Sequence, residues 1–349
     1  MFYYLPIESL DERYTVQWRM WIPQAITARG HACWTIDGTR PLSSETDGGQ
    51  FLNWSSTIAY KSSQLVEVAR LFHEDRVHDG DVFFVADIWF PGIEAIAYMA
   101  DLLRIDVRLY GVNHAGPFDP TDLVRSLLPW GQYQEAAWYA LFDGVFVGSE
   151  YLASLIQAGL CDAGLPPAPL YVTGLPVDDE AVRRMTDPFT WDQPTILWPH
   201  RLSPDKNVDQ LYDVVEMVQP RYPDLQWVIT SGRAAQTYQP KHPAVRFLSG
   251  VSKAQYYGML RAATLMLSTA YHENFGYTVR EATALGTPIL CPRRACYPEM
   301  ILSPTNLYTD TAEAAAKIMW ALDGHMPLAD LKPSGGLAAM LDIIEQDGR

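Results

Sequence analysis

The sequence is poor in several things that would narrow its class. Its four cysteines, Cys33, Cys161, Cys291 and Cys296, form no Cys-x-x-Cys pair and show no ligand-like spacing with histidine. That pattern excludes a disulfide-framed scaffold and a structural zinc site, and it points to a reducing compartment. No apolar run approaches the roughly 20 residues a membrane span needs. The opening MFYYLPIESLDER has no basic n-region and turns acidic at Glu8, so a secretory signal is not expected and a cytoplasmic protein is. Positive charge is scarce as well: 26 Lys and Arg face 41 Asp and Glu, a net charge of −15. Holding naked duplex through a broad basic face is therefore disfavoured, although a local basic cleft on an acidic body is compatible with the balance. Internal repeats, low-complexity tracts and heptad arrays are absent too.

What is present suits two globular domains. The chain has 349 residues, of which 48% are hydrophobic and 19% charged, against a prior of roughly 150 residues per domain. Short apolar runs alternate with helical stretches, the grammar of α/β proteins with parallel sheets. Strands are expected at 81–87, 107–112 and 144–148, then at 195–198, 226–230, 244–248, 264–268 and 288–290. Helices are expected at 92–103, 132–141 and 150–158, then at 208–218, 253–262 and 276–285. The stretch 171–194, with Gly174, Pro176, Pro188 and Pro194, interrupts the rhythm and reads as a linker. The expected architecture is two Rossmann-like domains facing a cleft. They comprise residues 1–175 and 176–333, and 334–349 form a C-terminal helix returning to the first domain. Ligands of such sheets bind at the carboxyl ends of the strands.

The most informative window is STAYHENFGYTVREATALGTP, residues 268–288. A strand ends at Ser268, and a helix opens near Gly276, carries Glu281 and stops at Gly286 with Pro288 beyond. The opening turn offers backbone N–H groups and the positive end of a helix dipole, which suits an anion. Upstream, TILWPHRLSPDKNVDQLYDVV places Arg201 and Lys206 after another strand.

These motifs, in this order, resemble those of the glycosyltransferases group 1 family. The window carries that family's E-x7-E signature in Glu273 and Glu281, and the likeness extends over roughly 170–325. The resemblance implies a GT-B fold and a retaining transferase that uses a nucleotide-diphosphate sugar. Arg201 and Lys206 would clamp the diphosphate. Glu281 would hold the nucleotide ribose, and Gly250 and Val251 would lie at the nucleobase. Glu273, with the N–H groups of Asn274, Phe275 and Gly276, would grip the donor sugar. His114, just after a strand in VRLYGVNHAGPFDPTD, would also contact that sugar, so His114 and Glu273 are the candidate catalytic residues. Lys253 is assigned to the surface.

Asp87, Trp89 and Glu94 in VADIWFPGIE follow an earlier strand and are candidates for binding the acceptor. The first strand-to-helix loop departs from the family: where a Gly-rich turn is usual, it has Pro6, Glu8 and Arg13. No Asp-x-Asp motif follows a strand, and the cations supply the charge that the leaving diphosphate requires, so neither metal nor cofactor is expected. The acceptor is a hydroxyl. The segments LPIESLDERYTVQW, DIWFPGIE and NHAGPFDPTD are similar to first domains of phage-type glycosyltransferases, which makes a hydroxylated base in DNA one candidate. Small molecules and glycans are others. A non-catalytic nucleotide-sugar-binding subunit and an epimerase are the readings from different classes.

Overall fold

A computed structural model of the protein describes residues 1–8, 15–39, 53–232 and 237–348. The chain divides into two compact units, Met1–Pro176 with Ser334–Arg349, and Val177–Pro333.

The first unit is built on β1 (Phe2–Leu5), β2 (Cys33–Thr35), β3 (Val82–Val85), β4 (Arg108–Asn113), β5 (Gly144–Val147) and β6 (Leu170–Val172). They form one parallel sheet in the order β2-β1-β3-β4-β5-β6, with Phe2 opposite both Cys33 and Val82. FYYL, VFFV and GVFV are buried along their whole length, because helices cover both faces of the sheet. The helices are α1 (Thr15–Ala28), α2 (Trp54–His73), α3 (Ile93–Leu103), α4 (Leu128–Tyr139) and α5 (Glu150–Asp162). Polar caps define where several begin: the Asn53 side chain accepts from Ser56 N, and Ser149 accepts from Leu152 N.

The second unit repeats the design. Its parallel sheet runs β12-β11-β10-β7-β8-β9. The strands are β7 (Thr195–Trp198), β8 (Gln226–Ser231), β9 (Val245–Ser249), β10 (Leu265–Leu267), β11 (Ile289–Pro292) and β12 (Leu307–Tyr308). Its helices are α6 (Asp179–Arg184), α7 (Val208–Val218), α8 (Lys253–Ala262), α9 (Tyr277–Ala284), α10 (Tyr297–Met300) and α11 (Thr311–Leu322). The final helix, α12 (Gly336–Gln346), packs on α1 in the first unit. No helix among the described residues is long and apolar enough to cross a membrane.

The stretch read as a linker is more ordered than the sequence suggests. It holds the end of β6 and all of α6, and Asp178 caps α6 by accepting from Ala181 N. The acidic triplet Asp178-Asp179-Glu180 is thus a helix start whose carboxylates complement the dipole.

Topology says where each unit can bind. Chain order reverses between β1 and β3 in the first sheet, and between β7 and β10 in the second. Crossovers on the two sides of a reversal lie on opposite faces, leaving a crevice at the carboxyl ends of those strands.

Candidate active site

In the second unit, the segments leaving β7 and β10 meet at that crevice and are tied together. Tyr271 N donates to Asp205 O at 2.7 Å, and Thr269 Oγ1 donates to the carbonyls of Lys206 and Asn207 at 2.9 Å each. Trp198 Nε1 donates to the same hydroxyl oxygen at 2.8 Å.

Lys206 is the centre of this junction. Its ammonium reaches His272 O at 3.0 Å, Glu273 Oε2 at 3.1 Å and Asp205 Oδ2 at 3.1 Å, with its side chain only 10% exposed. An ammonium has three hydrogens, and these contacts use all of them. Burial favours the neutral amine, but the Glu273 and Asp205 carboxylates outweigh it and hold the Lys206 pKa above its usual value. Burial likewise works against Glu273 ionisation. The Lys206 charge overrides that, aided by His200 and a bond from Gly276 N to Oε1 at 3.2 Å, and brings the Glu273 pKa down to about 2. Arg201 is more exposed, with its side chain 41% accessible and its guanidinium 3.5 Å from Asp205. The geometry therefore makes Arg201 the more solvent-exposed cation of the two, and Lys206 the residue that fixes Glu273.

His200 joins the same cluster. It is buried against Trp198, and burial followed by the Lys206 charge lowers its pKa to about 3, so the ring is neutral. Its Nε2 has no hydrogen-bond partner among the described residues. The sequence reading passed over it, although it stands beside Arg201 at a strand end.

Glu281, on α9, is buried and already held from α8. Its Oε1 accepts from Lys253 Nζ at 2.9 Å and Tyr257 OH at 3.0 Å, and its Oε2 accepts from Tyr256 OH at 3.1 Å. The assignment of Lys253 to the surface is corrected here: the Lys253 side chain is 21% exposed and lies over the rings of Tyr256 and Tyr257. A carboxylate has about four acceptor sites, so Glu281 keeps one, on Oε2. Gly250, in the left-handed region at φ 68°, and Val251 connect β9 to the Ser252 cap of α8.

At the start of α9, Gly276 is left-handed at φ 75°. Its N–H, expected to face a ligand, donates instead to Glu273. Asn274 accepts from His272 Nε2 at 2.9 Å, and Phe275 is buried.

In the first unit, His114 follows β4, and its Nε2–H donates to Ala86 O at 2.7 Å while its ring lies against Trp18. Asp87 follows β3 at the reversal point and receives Lys61 Nζ at 2.6 Å and Trp89 N at 3.1 Å. Burial raises its pKa, but Lys61 and then His114 bring the net shift below the usual value. Trp89 donates to Glu135 Oε1 at 2.5 Å and packs edge-on against Trp130 and Trp138. Glu94 is an exposed residue of the first turn of α3 and accepts from Trp138 Nε1 at 2.9 Å. Trp89 and Glu94 are therefore engaged in anchoring a tryptophan cluster. Pro6 O accepts from Gln64, and Glu8 accepts from Thr57 at 2.6 Å; Arg13 lies outside the described residues.

Glu135 is the residue the sequence reading missed here. It is fully buried, accepts from Trp89 and from Tyr139 OH at 3.1 Å, and sits directly behind Gly116. Burial outweighs those bonds and raises its pKa to about 8. A Cβ at Gly116 would meet its Oε1 at 2.3 Å, so this glycine makes room for the carboxyl group. The available signal was that Glu135 is the sole charged residue in LPWGQYQEAAWY.

Known proteins carry the same pattern. Residues 186–331 match the family described as Glycosyl transferases group 1. The second unit is a group 1 glycosyltransferase domain. Within it lie Arg201, Lys206, Glu273 and Glu281, all inside the matched residues. The chain is 29% identical over 133 residues to the tRNA-queuosine alpha-mannosyltransferase of Drosophila melanogaster, covering 36% of this chain. That match spans about a third of the relative's own length, 34%. Among solved structures, the sucrose-phosphate synthase of Thermosynechococcus elongatus superposes with a TM-score of 0.64 at 16% identity, covering 99% of this chain and 97% of that one. A trehalose-6-phosphate synthase does so at 0.61 and 14%, covering 99% and 95%. At such identities the likeness establishes the fold, which is GT-B: two Rossmann-like units, each with a six-stranded parallel sheet.

Proposed function

We propose that the protein is a metal-independent, retaining glycosyltransferase that moves a sugar from a nucleotide-diphosphate sugar to a hydroxyl on a modified base of a polynucleotide. One observation carries the reading. The crevice of the group 1 domain brings Arg201 and the Lys206–Glu273 pair to the start of the helix that bears Glu281. Cations and carboxylates in that order suit a ligand with a diphosphate between a ribose and a sugar. The tRNA-modifying relative supports a nucleic-acid acceptor.

On this reading the Arg201 fork takes the diphosphate, and the field of Lys206 stabilises the charge that grows on it as the sugar leaves. Glu281 accepts one ribose hydroxyl on its remaining site. Glu273, held ionised, accepts from the donor sugar. The acceptor attacks on the face the phosphate vacates, and the leaving phosphate takes the acceptor's proton. A glycosyl adduct trapped on Glu273 and seen by mass spectrometry would contradict that step.

The test is product analysis. The protein is incubated with UDP-, GDP-, ADP- and dTDP-sugars, and with tRNA, DNA bearing hydroxymethylated bases, or small polyols. A sugar-mass increment on a nucleic acid is the expected result. Transfer to polyols alone would overturn the acceptor, and donor turnover without transfer would favour an epimerase.

A further inference from the structure

We propose that Arg293, Arg294 and Tyr271 form a docking site for the phosphodiester backbone and one base of the polynucleotide acceptor. The two guanidiniums would hold a phosphate and the tyrosine ring would stack a neighbouring base. This inference rests on the nucleic-acid reading above.

The two arginines open the loop after β11, at the carboxyl end of the sheet. Arg293 is exposed and Arg294 half-buried, and among the described residues no carboxylate pairs with either. In a chain with 41 acidic residues against 26 basic ones, two adjacent arginines without a carboxylate ion pair concentrate positive charge at this point. Arg183 and Arg246, which also have no carboxylate ion pair among the described residues, instead spend their guanidiniums on Ala284 O and Gln226 Oε1. The Arg294 guanidinium lies 5.2 Å from the ring centroid of Tyr271, and Tyr271 is 55% exposed. A cation beside an exposed aromatic ring is the combination that single-stranded nucleic acid uses: phosphate on the guanidinium, base on the ring.

The platform is fixed to the site. Arg293 N donates to Tyr308 O at 2.7 Å, and Arg294 N to Pro292 O at 2.8 Å. Ala295 turns the chain in the left-handed region at φ 51°, and Cys296 N then donates to Glu273 O at 3.3 Å. Tyr271 is bonded to Asp205, the neighbour of Lys206. Tyr271 also precedes Glu273 by two residues, so a base on its ring lies on the sugar side of the site, where an acceptor must arrive. With a net charge of −15, most of the molecule repels a polyanion, which leaves this patch to choose where the strand sits.

The test uses fluorescein-labelled single strands of DNA and of RNA, about 12 nucleotides long, within the footprint of known single-strand sites. Anisotropy is read over a salt series for wild type, Arg293→Ala/Arg294→Ala, Arg293→Lys/Arg294→Lys and Tyr271→Ala. Binding of the free nucleotides is followed in parallel by thermal shift. The double alanine variant is expected to bind at least about tenfold more weakly, with the salt slope flattened by about 0.7, the value for one phosphate on a single strand. Tyr271→Ala is expected to weaken binding at an unchanged slope. The lysine variant is expected to recover the slope but not the full affinity. Nucleotide binding stays at the wild-type level throughout. Whichever strand binds more tightly through the arginines identifies the acceptor as DNA or RNA. Unchanged strand binding in the double alanine variant overturns the proposal, and so does a matching loss of nucleotide binding, which would assign the arginines to the donor. If wild type binds nucleotide but neither strand, the nucleic-acid reading fails and takes this inference with it.

Discussion

Lys206 illustrates how a single buried cation sets the chemistry of its neighbours. All three of its hydrogens are spent on Asp205, Glu273 and the His272 carbonyl, so its first task is to keep Glu273 ionised and in place. Lys206→Met leaves that carboxylate buried without its cation, and should cost about 3–5 kcal/mol at neutral pH by urea denaturation. The pH dependence has a definite sign. Glu273 has a lowered folded pKa of about 2 against an ordinary 4.5, so its contribution is complete above about 4.5 and is lost as pH falls towards 2. The gap between wild type and Lys206→Met should therefore narrow on acidification. Glu135 behaves in the opposite way. Its folded pKa is raised to about 8 by burial, despite bonds from Trp89 and Tyr139, and Asp122 and Asp87 push it the same way. The folded state then keeps a proton that the unfolded chain releases, and stability falls as pH rises from about 4.5 to 8, at up to about 1.4 kcal/mol per pH unit. Glu135→Gln should remove that slope. A denaturation series over this range in which the two proteins keep the same slope would show the carboxyl group to be ionised when folded.

At the scale of elements, α9 depends on its first residue. Gly276 is left-handed and its N–H holds Glu273, while a Cβ there would come within 2.7 Å of the Met300 methyl. The Met300 side chain can move, so the cost of Gly276→Ala is mainly conformational, about 1–2 kcal/mol. Chemical denaturation would measure it, and reduced nucleotide affinity should accompany it. The sequence made elements legible where their pattern was long or repeated. β7, α7 and α8 fall on their expected residues, since a buried run or an apolar stripe marks each from end to end. β2, β6 and β12 have two or three residues each, too few to show any period. The buried face of α2 includes Ser56, Thr57, Lys61 and Gln64, which blurs the apolar stripe that would have announced a helix. The site divides in the same way. Glu273, Glu281, Arg201 and Lys206 stand in a recognisable order along the chain. Lys253, Tyr256 and Tyr257 meet Glu281 from 24 to 28 residues away, and Lys61 meets Asp87 across 26, pairings that a linear pattern does not contain.

At the scale of the whole molecule, the chain's last helix is part of its first unit. Met340, Leu341 and Ile344 of α12 are buried there, and Arg29 pairs with Asp342 and Glu345. Three buried apolar side chains contribute about 5 kcal/mol or more at ~1.5–3 kcal/mol each, comparable to the stability of a typical domain. A chain ending at residue 333 should therefore lose the first unit to limited proteolysis while the second resists.

The most direct test of the central claim is a thermal-shift panel with UDP, GDP, ADP, CMP, dTDP and their common sugars. It is run on wild type, Arg201→Ala and Glu281→Ala. A ligand at about 100 times its Kd should stabilise by about 2.7 kcal/mol. The account predicts that one nucleotide family raises the Tm of wild type and that both variants lose the shift. No shift with any of them, or shifts that survive in both variants, would contradict a nucleotide-sugar site built on Arg201 and Glu281.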